Sequence, residues 1–434
     1  MSVNSDVAAW GQIALKLVGL QLLRSGVSRN LDVQIWWGSY LTEPDSVGRS
    51  IFNLLLLSSD RWSTLSVTTL GVKDLRDFFD HRHMNTSRLH KLDILCASMD
   101  FLRDHESAQQ LVDFEDIRFP RHLKSLRIRA PTMFRVPQAK NLTHLVLRGP
   151  LNNAMQSRQT VPGETMSVNL MDLLKQTCAT LRVCDIDCSR SVIWAWSPSI
   201  WETIVLPRLR ILRFMECGKD FPPGILDRLT APGLQELVVD DVRTNVAFEA
   251  LSNFIRRSAI LSRHSDGEEE PEDPQLLSLT VLSLAPPKSS AVEKAELHKL
   301  FKMLSSLQHL TLMHRGRGLK QIMQVLTLTG SDSSLPQDLS LLPSLHHLTI
   351  NRLPDDSLLE YILRMVESRL NADGKVTPVK TVEFHDRLLL IPTNNSIKDR
   401  LTRCKDAEVK FPCVIPGPVE DTMNWEALYD LEDD

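Results

Sequence analysis

Apolar residues recur along the chain in a short phrase, LxxLxL, clearest at Leu307-Gln308-His309-Leu310-Thr311-Leu312. Successive side chains of a strand point to opposite faces, so Leu310 and Leu312 share one face and Thr311 takes the other. Leu307 enters from the turn before and joins them. Three leucines are therefore expected to bury together, with Gln308, His309 and Thr311 on the opposite side. The phrase recurs at Leu89-Leu92-Ile94, Leu123-Leu126-Ile128, Leu142-Leu145-Leu147 and Leu181-Cys184-Ile186. It continues at Leu209-Leu212-Phe214, Leu234-Leu237-Val239, Leu279-Leu282-Leu284 and Leu345-Leu348-Ile350, and more loosely at Val379-Val382-Phe384. Trp62-Leu65-Val67 is an earlier variant with the same spacing.

Between most phrases lies a stretch of helical periodicity. Strand then helix, repeated at a few tens of residues, is the pattern of a leucine-rich-repeat solenoid. The predicted fold is therefore α/β: an irregular right-handed solenoid with a parallel sheet on the concave side, helices on the convex side and a short helical N-terminal cap. The spacing is uneven, and only Cys217 falls on the asparagine/cysteine position that follows the strand in regular arrays.

In chain order, residues 1–60 read as the helical cap and first strand. Val7 to Arg24 carries an apolar stripe, Ile13, Leu17, Leu20 and Leu23, expected to cover the first repeat, and Gly26 is a stop. Leu31 to Ile35 alternates as a strand. Asp45 is a candidate cap for a helix faced by Val47, Ile51, Leu54 and Leu55. Residues 61–391 read as the solenoid. Within it, 172–179 is helical, and Phe248, Leu251, Phe254 and Ile255 line a further helix. Residues near 263–275 read as a disordered acidic insertion that proteases should cut first, because like charges repel and nothing there can bury. Asp355 or Asp356 caps a helix with the stripe Leu359, Ile362, Leu363, Val366 and Leu370. Residues 392–434 read as a Pro-rich, then acidic tail.

Net charge is −4 at pH 7 over 434 residues, which gives no general pull toward nucleic acid or acidic lipid. The basic strand Lys124, Arg127, Arg129 has Asp93 and Glu115 nearby in sequence. No stretch is long and apolar enough to cross a membrane, and with Lys16 interrupting the first apolar residues no signal peptide is expected. The seven cysteines lack paired metal spacing and read as reduced thiols, which fits an intracellular protein, cytoplasmic or nuclear.

The chain offers no phosphate loop, zincin pair or nucleophile elbow. No catalytic, cofactor-binding or metal-ligating residue is assigned, and no cofactor is expected. What remains is the outward side of the strands. Candidate protein-binding residues there are Arg127, His144, Asp185, Arg213, Glu236, His309, Thr311, His347 and Thr349. If the phrases at Leu307 and Leu345 are adjacent rungs, His309 and His347 occupy equivalent positions, as do Thr311 and Thr349. If those at Leu181 and Leu209 are adjacent, Asp185 faces Arg213 as an exposed pair.

The run LQLLRSGVSRNLDVQIWW, followed by IFNLLLLSSDRWSTLSV, resembles the start of the repeat region in mushroom-type fungal F-box proteins. Leu23-Arg24-Ser25-Gly26 and Ser59-Asp60-Arg61-Trp62 match that family's signposts, and Phe254-Ile255-Arg256-Arg257-Ser258 resembles a helix end before one of its late strands. Trp10-Gly11-Gln12-Ile13-Ala14-Leu15 resembles the exit of the F-box, which the residues before Trp10 are too few to hold. The resemblance implies a substrate-recognition protein of a ubiquitin ligase that binds an unknown protein ligand on its concave face. It also implies docking on a cullin–RING ligase adaptor only when an upstream F-box is restored. The alternatives are an orphan truncated paralogue with no ubiquitin-ligase role, or an enzyme using the concave face as a cleft. No nucleic-acid or membrane partner is expected.

Overall fold

The computed structural model of the protein describes residues 3–37, 47–69, 78, 84–96, 112–113, 122–129, 134–135, 140–148, 173–187, 203–215, 223–239, 245–262, 278–284, 294–313, 317–327, 341–351, 355–372, 376–384 and 394–411. The chain divides into two compact units, Met1–Leu279 and Thr280–Asp434. The first holds a parallel sheet of β1 (Leu31–Trp37), β2 (Trp62–Thr69), β3 (Lys91–Cys96), β4 (Ser125–Arg129), β5 (His144–Arg148), β6 (Val183–Asp187), β7 (Ile211–Met215) and β8 (Glu236–Val239), each paired with the next. The second holds β9 (Val281–Leu284), β10 (His309–Leu312), β11 (His347–Ile350) and β12 (Thr381–Phe384), again parallel and in order.

The repeated leucines set the register. Leu65, Leu92, Leu126, Leu145, Cys184, Leu212 and Leu237 stand opposite one another across seven successive strands. Leu282, Leu310, Leu348 and Val382 do the same in the second unit. All of these are at most 1% exposed. Each rung thus removes three apolar side chains from water, at roughly 1.5–3 kcal/mol apiece. Cys184 fills a leucine position as a small apolar thiol. Phe384 alone among the phrase residues stays half-buried.

One backbone device joins the rungs. In most phrases the residue after the first leucine offers a carbonyl that two amides of the next rung share. His90 O accepts from Lys124 N at 2.8 Å and Ser125 N at 3.0 Å. Lys124, Thr143, Arg182 and Arg210 repeat this in the first unit, and Thr280, Gln308 and His346 in the second. The carbonyls therefore form a spine within each unit, which satisfies polar groups at the entrances of β4 to β8 and of β10 to β12.

Helices connect the strands. They are α1 (Val3–Arg24), α2 (Val47–Leu56), α3 (Pro223–Arg228), α4 (Asn245–Ser262), α5 (Lys294–Lys302), α6 (Arg317–Leu326), α7 (Asp356–Leu370) and α8 (Asn395–Asp406). The residues 173–177 are helical as expected, with Leu173 and Leu174 buried. The α4 stripe Phe248, Leu251, Phe254 and Ile255 is buried throughout. Asp355 is the cap of α7, its carboxylate accepting from Leu358 N at 2.7 Å. On that helix Leu359, Ile362, Leu363 and Val366 are buried, but Leu370 is only half-buried and Arg369 goes inside, 1% exposed. The Arg369 guanidinium donates to the carbonyls of Leu341 and Leu342, and burial pushes its pKa down to about 10.

The N-terminal cap departs from expectation. Gly26 ends α1 with φ +67°, a backbone position that suits glycine. Yet Ile13, Leu17, Leu20 and Leu23 are 47–78% exposed rather than spent on the first repeat. Instead α1 packs on α2, where Ala14, Leu15, Val18, Gly19 and Leu22 are half-buried. The end of the core is closed from β1, whose Val33, Ile35 and Trp37 point inward. Trp37 meets Phe52 of α2 and Phe78 at ring-centroid distances of 4.6 and 5.4 Å. For that reason Phe52 and Leu56 are the buried residues of α2, while Val47, Ile51, Leu54 and Leu55 are half-buried.

Two of the stretches that resemble the fungal repeat proteins meet here. Arg61 is 7% exposed, and its Nη2 donates to Ser25 Oγ at 2.5 Å while its Nε donates to Arg29 O at 3.1 Å. Arg61 thus ties the turn after α1 to the entrance of β2. In the third stretch Ser258 Oγ accepts from Ala231 N at 3.0 Å, and the Arg257 guanidinium reaches Leu226 O and Leu229 O. These positions lock turns, which is a structural role.

The stretch from 392 carries an element the pattern did not announce. Helix α8 is capped by Asn394, and residues 409–411 return beside β12 with Lys410 bridged to Thr381. Cys217, Asp45, the insertion at 263–275 and the residues after Phe411 lie outside the described residues.

Candidate protein-interaction face

Side chains that alternate with the buried leucines line up across neighbouring strands. In the first unit one row runs Ser66, Asp93, Arg127, Val146, Asp185, Arg213, Val238. A second runs Thr64, Lys91, Ser125, His144, Val183, Ile211, Glu236. In the second unit the rows are Val281, His309, His347, Thr381 and Ser283, Thr311, Thr349, Glu383. Every candidate residue named from the sequence therefore sits on the side of its strand away from the leucines. His309 does stand opposite His347, Thr311 opposite Thr349, and Asp185 opposite Arg213.

Exposure is uneven along these rows. His144 is exposed, and Arg127, Arg213, Glu236, His309, Thr311 and His347 are half-buried. Asp185 and Thr349 are buried, at 3% and 5%. With strands about 4.8 Å apart, a short side chain set among longer ones is covered by them. Asp185 thus stands opposite Arg213 as the sequence suggested, but it is buried rather than exposed.

Charge on the first unit's face is largely compensated. Arg127 Nη1 lies 3.6 Å from Asp93 Oδ2 on the neighbouring strand. Arg213 Nε donates to Glu236 Oε1 at 2.7 Å along a diagonal of the ladder. Both members of this second pair are partly open, at 38% and 22% side-chain exposure. A double-mutant cycle on Arg213→Ala and Glu236→Ala should give a coupling of about 0.2–1 kcal/mol, shrinking as salt is added. No coupling, or coupling indifferent to salt, would contradict the pairing.

The second unit's face gathers imidazoles. The His309 ring lies 5.0 Å from those of both His347 and His346, centroid to centroid. His347 Nε2 is 3.4 Å from Glu383 Oε2. Partial burial holds the His309 pKa below its ordinary value, the neighbouring His347 and His346 lower it further, and Glu383 opposes them. His144 is lowered too, by burial and then by Arg182 and Lys91. Among the described residues no group of three or more His, Cys, Asp or Glu is arranged to hold a metal ion.

A pH dependence follows. A histidine with a depressed folded pKa binds its proton more readily when unfolded. His309 should therefore contribute stability that is present above the ordinary histidine value near 6.5 and lost as pH falls through its lower folded pKa. By NMR, the His309 ring should titrate below 6.5, and His309→Gln should flatten the acid-side loss of stability. A midpoint at or above 6.5 would show that the neighbours do not oppose its charge.

Reading the sequence missed several contributors. Asp93 and Lys91 belong to the rows, and their position two residues apart on β3 was the available signal. Glu383 follows from the same alternation. His346 gave no such signal, because it occupies the turn-side position of its phrase and reaches His309 by its ring.

No known protein-family profile matches the chain. No curated protein matches it either. Among solved structures it is similar to a chain of the crystal structure of the Rad7 and Elc1 complex in yeast, at 13% identity and a TM-score of 0.29, over 76% of this chain and 72% of that one. The rungs themselves, with leucines in register and a shared carbonyl at most strand entrances, make this an α/β solenoid of the leucine-rich-repeat type.

Proposed function

We propose that the chain is a protein-interaction scaffold, in which the polar rows of the sheet face hold a protein ligand, and that it acts as the substrate-recognition part of an F-box type ubiquitin-ligase receptor. The observation that carries the first half is the face itself. Asp93, Arg127, Arg213 and Glu236 are fixed on paired strands in alternating charge, ordered by the backbone and ready to meet a complementary surface without much loss of side-chain freedom. The second half rests on the resemblance. It is supported by the open stripe Ile13, Leu17, Leu20 and Leu23 on α1, the helix that matches the family's F-box exit. A helical module set before it could pack along that stripe. An intracellular location, cytoplasmic or nuclear, goes with this reading, and no helix among the described residues is long and apolar enough to cross a membrane.

The test uses the chain with an F-box fused before Met1, and separately the chain as given, each mixed with purified adaptor. The fused protein should bind adaptor with one-to-one stoichiometry, and the unfused chain should not. Arg127→Glu with Arg213→Glu should leave adaptor binding intact while abolishing capture of a specific cellular protein. The same protein should still be captured by a variant altered on α8, Lys398→Glu. Robust adaptor binding by the unfused chain would overturn the assignment of the docking role to an F-box. A ligand captured equally by the face variant would remove the sheet face from recognition.

A further inference from the structure

The shared carbonyls that join the rungs of the first unit belong to residues that are mostly basic and mostly exposed. Lys124 N donates to His90 O at 2.8 Å, Thr143 N to Lys124 O at 2.7 Å, Arg182 N to Thr143 O at 2.8 Å and Arg210 N to Arg182 O at 2.8 Å. These bonds set His90, Lys124, Thr143, Arg182 and Arg210 side by side on successive rungs. Thr143 is half-buried and the other four are exposed. With strands about 4.8 Å apart, the row runs for roughly 19 Å across the strand entrances. Lys91 and His144, each one residue further along its strand, are exposed beside it.

A chain of net charge −4 thus carries a local cationic row. Among the described residues, 88–91, 122–125, 140–144, 181–183 and 208–211 contain no aspartate or glutamate. The carboxylates nearest in register are engaged or covered: Asp93 lies against Arg127, Glu236 accepts from Arg213, and Asp185 is 3% exposed. Among the described residues none of Lys91, Lys124 and Arg182 is in an ion pair. The Arg210 guanidinium donates to a neutral carbonyl, Gly233 O, at 2.9 Å. His144 registers the charges together: after burial, Arg182 and Lys91, on rungs to either side of it, lower its pKa. An extended peptide advances about 3.3 Å per residue, so about six residues follow the row from end to end. Single-stranded nucleic acid fits less well, because it binds through aromatic faces as well as cations. The outward positions of β3 to β8 hold no phenylalanine, tyrosine or tryptophan.

We propose that this row is the docking strip for an acidic, extended segment of a protein ligand, its carboxylates set against Lys124, Arg182 and Arg210. This docking role rests on the reading of the first unit's sheet as a ligand face. The probes are fluorescent peptides of about six glutamates and of about six glutamines, titrated onto the purified full chain. The glutamate peptide should bind and the glutamine peptide should not. Raising salt from about 50 to about 300 mM should weaken binding about tenfold or more. Lys124→Glu with Arg182→Glu should weaken it at least as much, and Lys398→Glu on α8 should leave it unchanged. Equal affinity of the two peptides, of low and high salt, or of the native and charge-reversed chains would overturn the proposal. So would a single-stranded thymidylate oligonucleotide of equal length that binds more tightly than the glutamate peptide. None of these measurements uses the adaptor or a cellular ligand. Failure to bind the glutamate peptide, beside ligand capture that depends on Arg127 and Arg213, would therefore remove the docking strip and leave the scaffold role standing.

Discussion

Leu310→Ala should cost roughly 2–5 kcal/mol, with its effect confined to neighbouring rungs. Leu310 is fully buried and stands between Leu282 and Leu348 in register. The site cannot collapse easily. Gln308 and His309 are anchored to Thr280 O, and His346 and His347 to Gln308 O, each within 2.9–3.1 Å. The strands therefore hold their spacing, and the cavity persists. Solenoids stabilise each repeat mainly through adjacent ones, so a single global unfolding energy is a poor measure here. Hydrogen exchange is better. Amides of β9, β10 and β11 should lose protection, while those of β3 and β4 keep theirs. Thr311→Ala, one residue away on the other face, should stay within about 0.5 kcal/mol. A loss below about 1 kcal/mol for Leu310→Ala would mean that the leucine row is not a tightly packed core.

The leucine rows were legible because two signals coincide in them. Period-two alternation states which face a side chain takes, and leucine states that the face is dry. Even Cys184 was readable, since the spacing around it left one role. What the pattern cannot state is what covers an apolar stripe. Ile13, Leu17, Leu20 and Leu23 have the helical spacing of a buried face, and the structure leaves them open. Conversely, Arg369 reads as polar surface and is buried, because two turn carbonyls in a distant segment need its guanidinium. Helix α8 was hidden by its polarity, with Ile397 and Cys404 its buried residues.

The candidate face divides the same way. Positions on a strand follow from alternation, so all nine residues alternate with the buried leucines, two of them, Asp185 and Thr349, without being exposed. Pairings between strands need the register and the side-chain reach. Arg213 stands opposite Asp185 as its position states, and alternation alone did not show that its Nε also reaches Glu236, one strand further and two residues back along the ladder. The third ring near His309 comes from outside the alternating positions, at His346.

The other large effect is expected at the opposite kind of site, the aromatic plug of the first strand. Trp37→Ala should destabilise the N-terminal rungs by about 3–5 kcal/mol. Trp37 is 1% exposed, Phe52 2% and Phe78 fully buried, and the Phe52 and Phe78 rings lie 5.4 Å apart. Trp37 meets both rings edge-on, and such contacts contribute about 0.5–1.5 kcal/mol beyond the area they remove from water. The Arg49 guanidinium lies 5.9 Å from the indole centroid and adds a cation–π contact. Deleting the indole would leave the first rung without its lid and α2 without its main contact on β1. Trp36 provides the control. It is the adjacent residue, of the same type, on the other side of the strand and 74% exposed. Trp36→Ala should change stability by no more than about 0.5 kcal/mol. Protease protection of β1 and β2 and amide exchange in both strands would report the difference. Equal losses from the two substitutions would show that β1 does not hold this register and that the core is closed by something other than Trp37.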